Sequence, residues 1–128
     1  MMTILGTKHN ASFNWPDPLA TPRPNGAVNI GAGALRSLTT GNGNIAIGDR
    51  SQMSNKTGDS NITISSQILY RASAPQRNTL VGIVSGELAT SANDNTALDF
   101  FSLGKLHEGN SNTAFGSNAM GETGNTSF

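Results

Sequence analysis

The amino-acid sequence predicts an all-β protein, a parallel β-solenoid of about six 17-residue coils. Three observations predict this fold: the chain repeats every 17 residues, apolar residues alternate within each repeat, and a glycine follows the alternation in most copies. Parallel strands stacked about 4.8 Å apart would turn every repeated position into a column along the solenoid axis. We call one repeat a coil and each set of equivalent positions a column.

One asparagine recurs every 17 residues without insertion. Its copies form the asparagine column: Asn44, Asn61, Asn78, Asn95 and Asn112. We expect these side chains to form a stacked amide ladder, in which each bonds to its neighbours above and below. Two alternatives stay open, namely N-glycosylation at the sequons that begin at Asn61 and Asn10, and a row of asparagines that binds a ligand.

Three further columns define the strand of each coil. The aliphatic column is wholly apolar and is predicted to be the repeat core: Ile30, Ile47, Ile64, Val81, Leu98 and Phe115. Two residues earlier lies the β-branched column: Val28, Ile45, Ile62, Thr79, Thr96 and Thr113. Between them, facing the other way, lies the small column: Asn29, Ala46, Thr63, Leu80, Ala97 and Ala114. A spacing of two residues is the spacing of side chains on one face of a strand.

The strand is followed by a bend and a second apolar position. The bend carries glycine in four coils, and Ser65 and Asp99 are the exceptions, which predicts a backbone with positive φ. The second position is the leucine column, in which Gln52 and Gly86 interrupt the apolar residues: Leu35, Leu69, Leu103 and Met120. Each coil is therefore predicted to contain a strand, a bend, a short extended segment and a return turn.

Residues 43–51 look like a damaged phosphate-binding loop of the form G-x-x-x-x-G-K-[ST]. Asp49 stands where the phosphate-binding lysine is needed, and Ser51 comes one place late. The two glycines already have an explanation that holds for every repeat. We therefore interpret this stretch as a turn, a strand and a bend, with no phosphate site.

Composition excludes several classes of function. The 128-residue chain has 15 glycines, 12% charged residues, zero formal net charge and no cysteine. Without a basic patch we expect no nucleic-acid binding, and without cysteine there are no disulfides or thiolate metal sites. The apolar run at the amino terminus is too short for a signal peptide, and no stretch could span a bilayer. We expect synthesis in the cytoplasm and no membrane insertion.

The ionisable residues do not suggest an enzyme. The carboxylates are scattered over different columns, with no pair in register on neighbouring coils, whereas acid–base catalysis needs two at a fixed separation. His9 and His107 are isolated, so we assign no catalytic residue, no metal and no cofactor. A site shared between chains stays open as an alternative. Arg77 and Asp94 lie one coil apart in one column, which predicts a surface ion pair.

A coil of this length offers few apolar side chains for its own core, so more burial has to come from other copies of the chain. The small column suits a close approach between solenoids. We therefore predict self-association, and we predict an interface at three of its alanines, Ala46, Ala97 and Ala114.

Two stretches carry a resemblance to a known family. Residues 44–51, N-I-A-I-G-x-x-S, and residues 112–119, N-T-A-F-G-x-x-A, resemble the N-x-[AV]-[IV]-G-x-x-[AS] repeats of trimeric autotransporter adhesin heads. They are similar also to related repeats in bacteriophage tail fibres and other virion appendages. The resemblance covers residues 27–128, and it implies a homotrimeric, left-handed parallel β-roll.

The two ends of the chain differ from the repeats. Residues 1–26 carry four of the five prolines and the only tryptophan, which predicts an extended amino-terminal arm before the solenoid domain of residues 27–128. Leu5, Phe13 and Trp15 are candidate anchors on other virion proteins, or they cap the first coil. Residues 124–128 begin another strand-like segment, so we expect that end to be covered by another subunit or domain, or to continue in a longer protein.

Together these observations predict a non-enzymatic structural protein of a bacteriophage virion. It would be a homotrimeric fibre or spike, docked on the particle by its arm and directed towards host surface glycans. A capsid-bound head fibre or decoration protein is the alternative, followed by a fragment of a bacterial trimeric surface adhesin.

Overall fold

The computed structural model describes residues 26–121, which form the stacked coils of a β-solenoid. This range contains short strands and no helix. The strands are β1 (Val28–Ile30), β2 (Ile45–Ile47), β3 (Ile62–Ile64), β4 (Thr79–Val81), β5 (Ser91–Asn93), β6 (Thr96–Leu98), β7 (Glu108–Asn110) and β8 (Thr113–Phe115). Apart from Gly26, the predicted arm lies outside the described residues, and so do residues 122–128.

One strand from each coil joins a six-stranded sheet, in the order β1-β2-β3-β4-β6-β8. All neighbours in it are parallel, and each residue pairs with the residue 17 places later, as Ile45 does with Ile62. Five turns of chain link the six strands. The predicted all-β class and the 17-residue parallel register are therefore confirmed.

A second, smaller sheet lies on another side of the coils. It contains β5 and β7, which are parallel, and an isolated bridge between Gln76 and Asn93 extends it by one coil. The strand position one coil before Ala92 is occupied by Pro75. Proline has no N–H to donate, so a single bridge replaces a full strand there.

The two faces of the six-stranded sheet are the reverse of the sequence prediction. The small column points into the coil: Ala46, Ala97 and Ala114 are 0%, 1% and 3% exposed. The aliphatic column points outward, with Ile64 40% and Phe115 63% exposed. The prediction that the aliphatic column forms the interior of the coil is wrong. The prediction that the three alanines form a contact between copies is wrong as well.

The narrow interior of the coil explains this orientation. The small column faces the leucine column across it, and both are buried apart from Met120, which is half-buried. Leu80 is the largest member of the small column, and its coil carries Gly86 in the leucine column. A Cβ added to Gly86 would lie 2.9 Å from Cδ1 of Leu80. In each layer these two facing columns combine a larger side chain with a smaller one, and this leaves no space for a ladder of isoleucines opposite the leucines.

The corners of the coil use left-handed backbone at the same positions in every turn. In the leucine column Leu35, Gln52, Leu69 and Leu103 all have φ between 48° and 55°. Such a conformation costs roughly 1 kcal/mol or more for a residue with a side chain. Stacking offsets this cost, since the N–H of Leu35 and the N–H of Gln52 donate to carbonyls of the next coil at 3.1 and 2.8 Å. Positive φ at the bend is confirmed, at Ser65 also.

Candidate interaction face

The outward side of the six-stranded sheet is a largely apolar surface. We call it the β-face and define it by the aliphatic and β-branched columns. Val28, Ile62 and Ile64 are each more than a third exposed on it, and Ile45 and Ile47 are half-buried. Parallel sheets are normally covered on both faces. An apolar surface of this extent is typical of an interaction site.

Charge separates the β-face from the rest of the outward surface. Neither of its two columns contains a charged residue in any of the six coils, although both point towards solvent. The charged residues of residues 26–121 all lie in other columns: Arg36, Asp49, Arg50, Lys56, Asp59, Arg71, Arg77, Glu87, Asp94, Asp99, Lys105 and Glu108. The β-face therefore has the composition of a buried surface.

A third outward column, the corner column, adjoins the β-face just after the bend. Its members are small or polar in the first three coils, large and apolar in the fourth and fifth, and serine in the sixth: Ala32, Asp49, Ser66, Ile83, Phe100 and Ser117. Ile83 is 54% and Phe100 is 49% exposed. Sequence reasoning missed both residues, because they fall in no column that is apolar throughout. A signal was present, since they lie two residues after Val81 and Leu98.

The asparagine column forms a buried ladder. Nδ2 of Asn61 donates to Oδ1 of Asn44 at 2.9 Å and to the carbonyl of Pro75 at 2.7 Å. Oδ1 of Asn61 in turn accepts from N and Nδ2 of Asn78 at 3.1 and 2.9 Å. The same bonds continue to Asn95 and Asn112. All five side chains are at most 1% exposed.

Burial decides between the three interpretations of this column. An asparagine that is 0% exposed and bonded through both amide atoms is not accessible for glycosylation, which excludes Asn61 as an acceptor in the folded chain. A row of buried, mutually bonded amides presents no group to a ligand. The column is therefore a structural ladder, whereas the sequon at Asn10 lies outside the described residues.

A fully buried polar layer divides the interior into two apolar clusters. It contains Ser51, Gln52, Asn55 and Thr63, each 0% exposed. Nε2 of Gln52 donates to Oγ1 of Thr63 at 3.0 Å, Nδ2 of Asn55 donates to Oε1 of Gln52 at 2.9 Å, and the Ser51 and Thr63 hydroxyls bond at 2.5 Å. One cluster, around Leu35, lies on one side of this layer, and a larger one, which starts at Ile68, lies on the other.

The ionisable side chains of residues 26–121 are spread over many columns of the solenoid. The carboxylates there occupy six different columns, and no group of three or more potential metal ligands occurs among the described residues. The predicted pair is present: Nε of Arg77 lies 2.6 Å from Oδ1 of Asp94. This hydrogen bond lowers the pKa of Asp94 and raises that of Arg77. Both residues are exposed, so the pair is a surface feature.

Comparison with protein-family models, with curated proteins and with solved structures found no match to this chain. Within residues 26–121, no helix long and apolar enough to cross a membrane occurs. The predicted anchors Leu5, Phe13 and Trp15 lie outside the described residues. The candidate site therefore consists of the β-face and the adjoining corner column.

Proposed function

We propose that this chain is a non-enzymatic structural protein of a bacteriophage particle, in which three copies bundle into a fibre or spike. The copies meet through their β-faces. The arm of residues 1–26 docks on the particle, and the solenoid projects towards the host surface, where glycans are the expected contact.

The observation that carries the proposal is the absence of charge on the β-face. The two columns of the β-face contain only apolar residues or threonine in all six coils. They form a ladder of side chains that repeats about every 4.8 Å along the axis. A second copy of this chain presents the same ladder at the same spacing, so the rungs can interdigitate. It also brings no charge that would have to be desolvated.

The number of copies and the setting in a virion follow from the resemblance of residues 44–51 and 112–119 to trimeric adhesin and fibre repeats. The fold is consistent with such a role. In a β-solenoid each coil contacts only its neighbours, which gives an elongated element, and the ladder of bonded asparagines ties each coil to the next.

Sedimentation of the purified full chain tests the assembly. We expect a species of about 40 kDa, which is three chains of 13.3 kDa. Ile64→Lys puts a charge at the centre of the β-face and should give monomers that stay folded. The matched control is Ala74→Lys, at an exposed position of the same coil outside the six-stranded sheet, and it should leave the trimer intact. A monomeric wild-type chain at micromolar concentration would contradict the proposal.

Particles made with a variant chain test the setting. Trp15→Ala should reduce incorporation into virions while the sedimentation of the free chain stays unchanged, because the arm and the β-face have separate roles. Antibody labelling under the electron microscope then locates the chain. Labelling over the capsid surface would favour the head-fibre alternative, and absence from particles would contradict a virion protein.

A further inference from the structure

The apolar stripe on the outward surface does not run parallel to the solenoid axis. In the first three coils it covers the β-branched and aliphatic columns, as with Ile45 and Ile47. In the fourth and fifth coils the β-branched column holds threonine, and the large side chains have moved into the aliphatic and corner columns. Leu98 and Phe100 are 44% and 49% exposed there.

The lateral shift keeps the apolar width of the stripe nearly constant. In the fourth and fifth coils the β-branched column changes from isoleucine to threonine, at Thr79 and Thr96. In the same two coils the corner column changes from aspartate and serine to Ile83 and Phe100. The centre of the stripe therefore moves by two residues towards the bend over roughly 12 Å of axis, so the stripe is oblique to the solenoid axis. Packed sheets commonly cross at up to about 30°.

We propose that neighbouring copies of this chain cross at an angle and wrap around one another, so that the bundle is twisted. The inference rests on the self-association proposed above. An interface that follows the stripe uses the β-branched column in the first three coils and the corner column in the fourth and fifth. Straight, parallel rods would bury Thr79 and Thr96 and leave Ile83 and Phe100 in water.

The polar residues beside the early part of the stripe support this path. Asp49 is in the corner column of the second coil, and its carboxylate lies 3.6 Å from Nε of Arg50, with both side chains about half exposed. An interface along the corner column at that level would desolvate this pair. At the level of the fourth coil the same column carries Ile83, the second most exposed of the large apolar residues.

Introduced thiols test the path of the interface, because the chain has no cysteine of its own. Four single variants cover two columns at two levels: Ile45→Cys, Asp49→Cys, Thr79→Cys and Ile83→Cys. Two more, Ile47→Cys and Val81→Cys, lie in the aliphatic column, which is buried on either path. The probe is a charged maleimide, and each rate is compared with that of Ala74→Cys, at an exposed position outside the six-stranded sheet.

We expect the thiols at 45 and 83 to react at least about tenfold more slowly than the reference, and those at 49 and 79 to react at its rate. Protection at 45 and 79 with free reaction at 49 and 83 would overturn the twisted bundle and leave self-association standing. Free reaction at 47 and 81 would overturn association through the β-face itself. Sedimentation of each variant confirms that it is still assembled when it is labelled.

Discussion

Ala46 and Ile47 are neighbours in β2 and face opposite ways: Ala46 is fully buried inside the coil, and Ile47 lies on the β-face. The interior is therefore built from the smaller of the two side chains. The larger one is left for a contact outside the coil.

Ala46→Leu should destabilise the folded chain by about 1–3 kcal/mol, because a larger side chain overpacks the layer shared with Ala34 and Leu35. Urea unfolding followed by circular dichroism measures the change. The control Ile47→Leu lies on the outward face and should change the stability of the dissociated chain by less than about 0.5 kcal/mol. Equal effects of the two variants would contradict the orientation of β2.

Asn61→Ala should cost about 3 kcal/mol or more, because it leaves the Pro75 carbonyl and the N–H of Asn78 without the side-chain partner they have in the ladder. Thermal unfolding measures the loss. Asn42→Ala removes an exposed amide from the neighbouring coil and should have little effect. If both variants unfold at the wild-type temperature, the ladder does not contribute to stability.

The large side chain of the layer that contains Leu80 and Gly86 should be movable from position 80 to position 86. Leu80→Ala alone creates a cavity and should cost about 2–5 kcal/mol, and Gly86→Leu alone should overpack the layer. The double variant reproduces the combination found one coil later, Ala97 with Leu103, and should recover most of the loss. Leu103 has φ 55° and Gly86 has φ 58°, so leucine fits the backbone there. Additive losses in the double variant would refute the pairing.

Gln52→Leu should destabilise the chain by about 1–3 kcal/mol, although leucine occupies the same column in three other coils. Nδ2 of Asn55 and Oγ1 of Thr63 lose a buried partner when the amide is removed. Adding Asn55→Ala should cost less than it does in the wild type, with a coupling energy of about 1 kcal/mol in the double-mutant cycle. No coupling would mean that the two amides act independently.

The Arg77–Asp94 pair should stabilise the fold only while the carboxylate is ionised. The Arg77 hydrogen bond lowers the pKa of Asp94 from its ordinary value of 3.8. The contribution of the ion pair to the stability of the fold is therefore fully present above about pH 4, and it disappears as the pH falls through the lowered pKa of Asp94. Asp94→Asn should match the wild type in strong acid and be less stable near neutral pH. A difference that persists in strong acid would contradict this assignment.

Much of the fold could be predicted from the repeat in the sequence alone. The 17-residue step fixes which residues stack, and so it predicts the parallel register of Ile45 on Ile62 and the pairing of Arg77 with Asp94. The asparagine ladder follows from the same step. Bends with positive φ were readable from the glycines that follow each strand.

The sequence prediction was wrong about which face of the strands points into the coil, and the reason is physical. Alternation places Ala46 and Ile47 on opposite sides of a strand but is symmetric between them. The assumption that the larger apolar residue is buried fails in a coil too narrow for two facing ladders of isoleucine. Asn44 lies two residues before Ala46 and shares its side, so a buried amide ladder would have indicated the correct orientation.

By itself, then, the sequence determined the period, the stacking register and the class of fold, since these depend only on which residues recur. The tertiary structure decided which face is inside, how Leu80 and Gly86 share one layer, and where Ile83 and Phe100 extend the apolar stripe. These depend on the width of the coil and on the volumes that meet across it, and one-dimensional spacing does not contain either quantity.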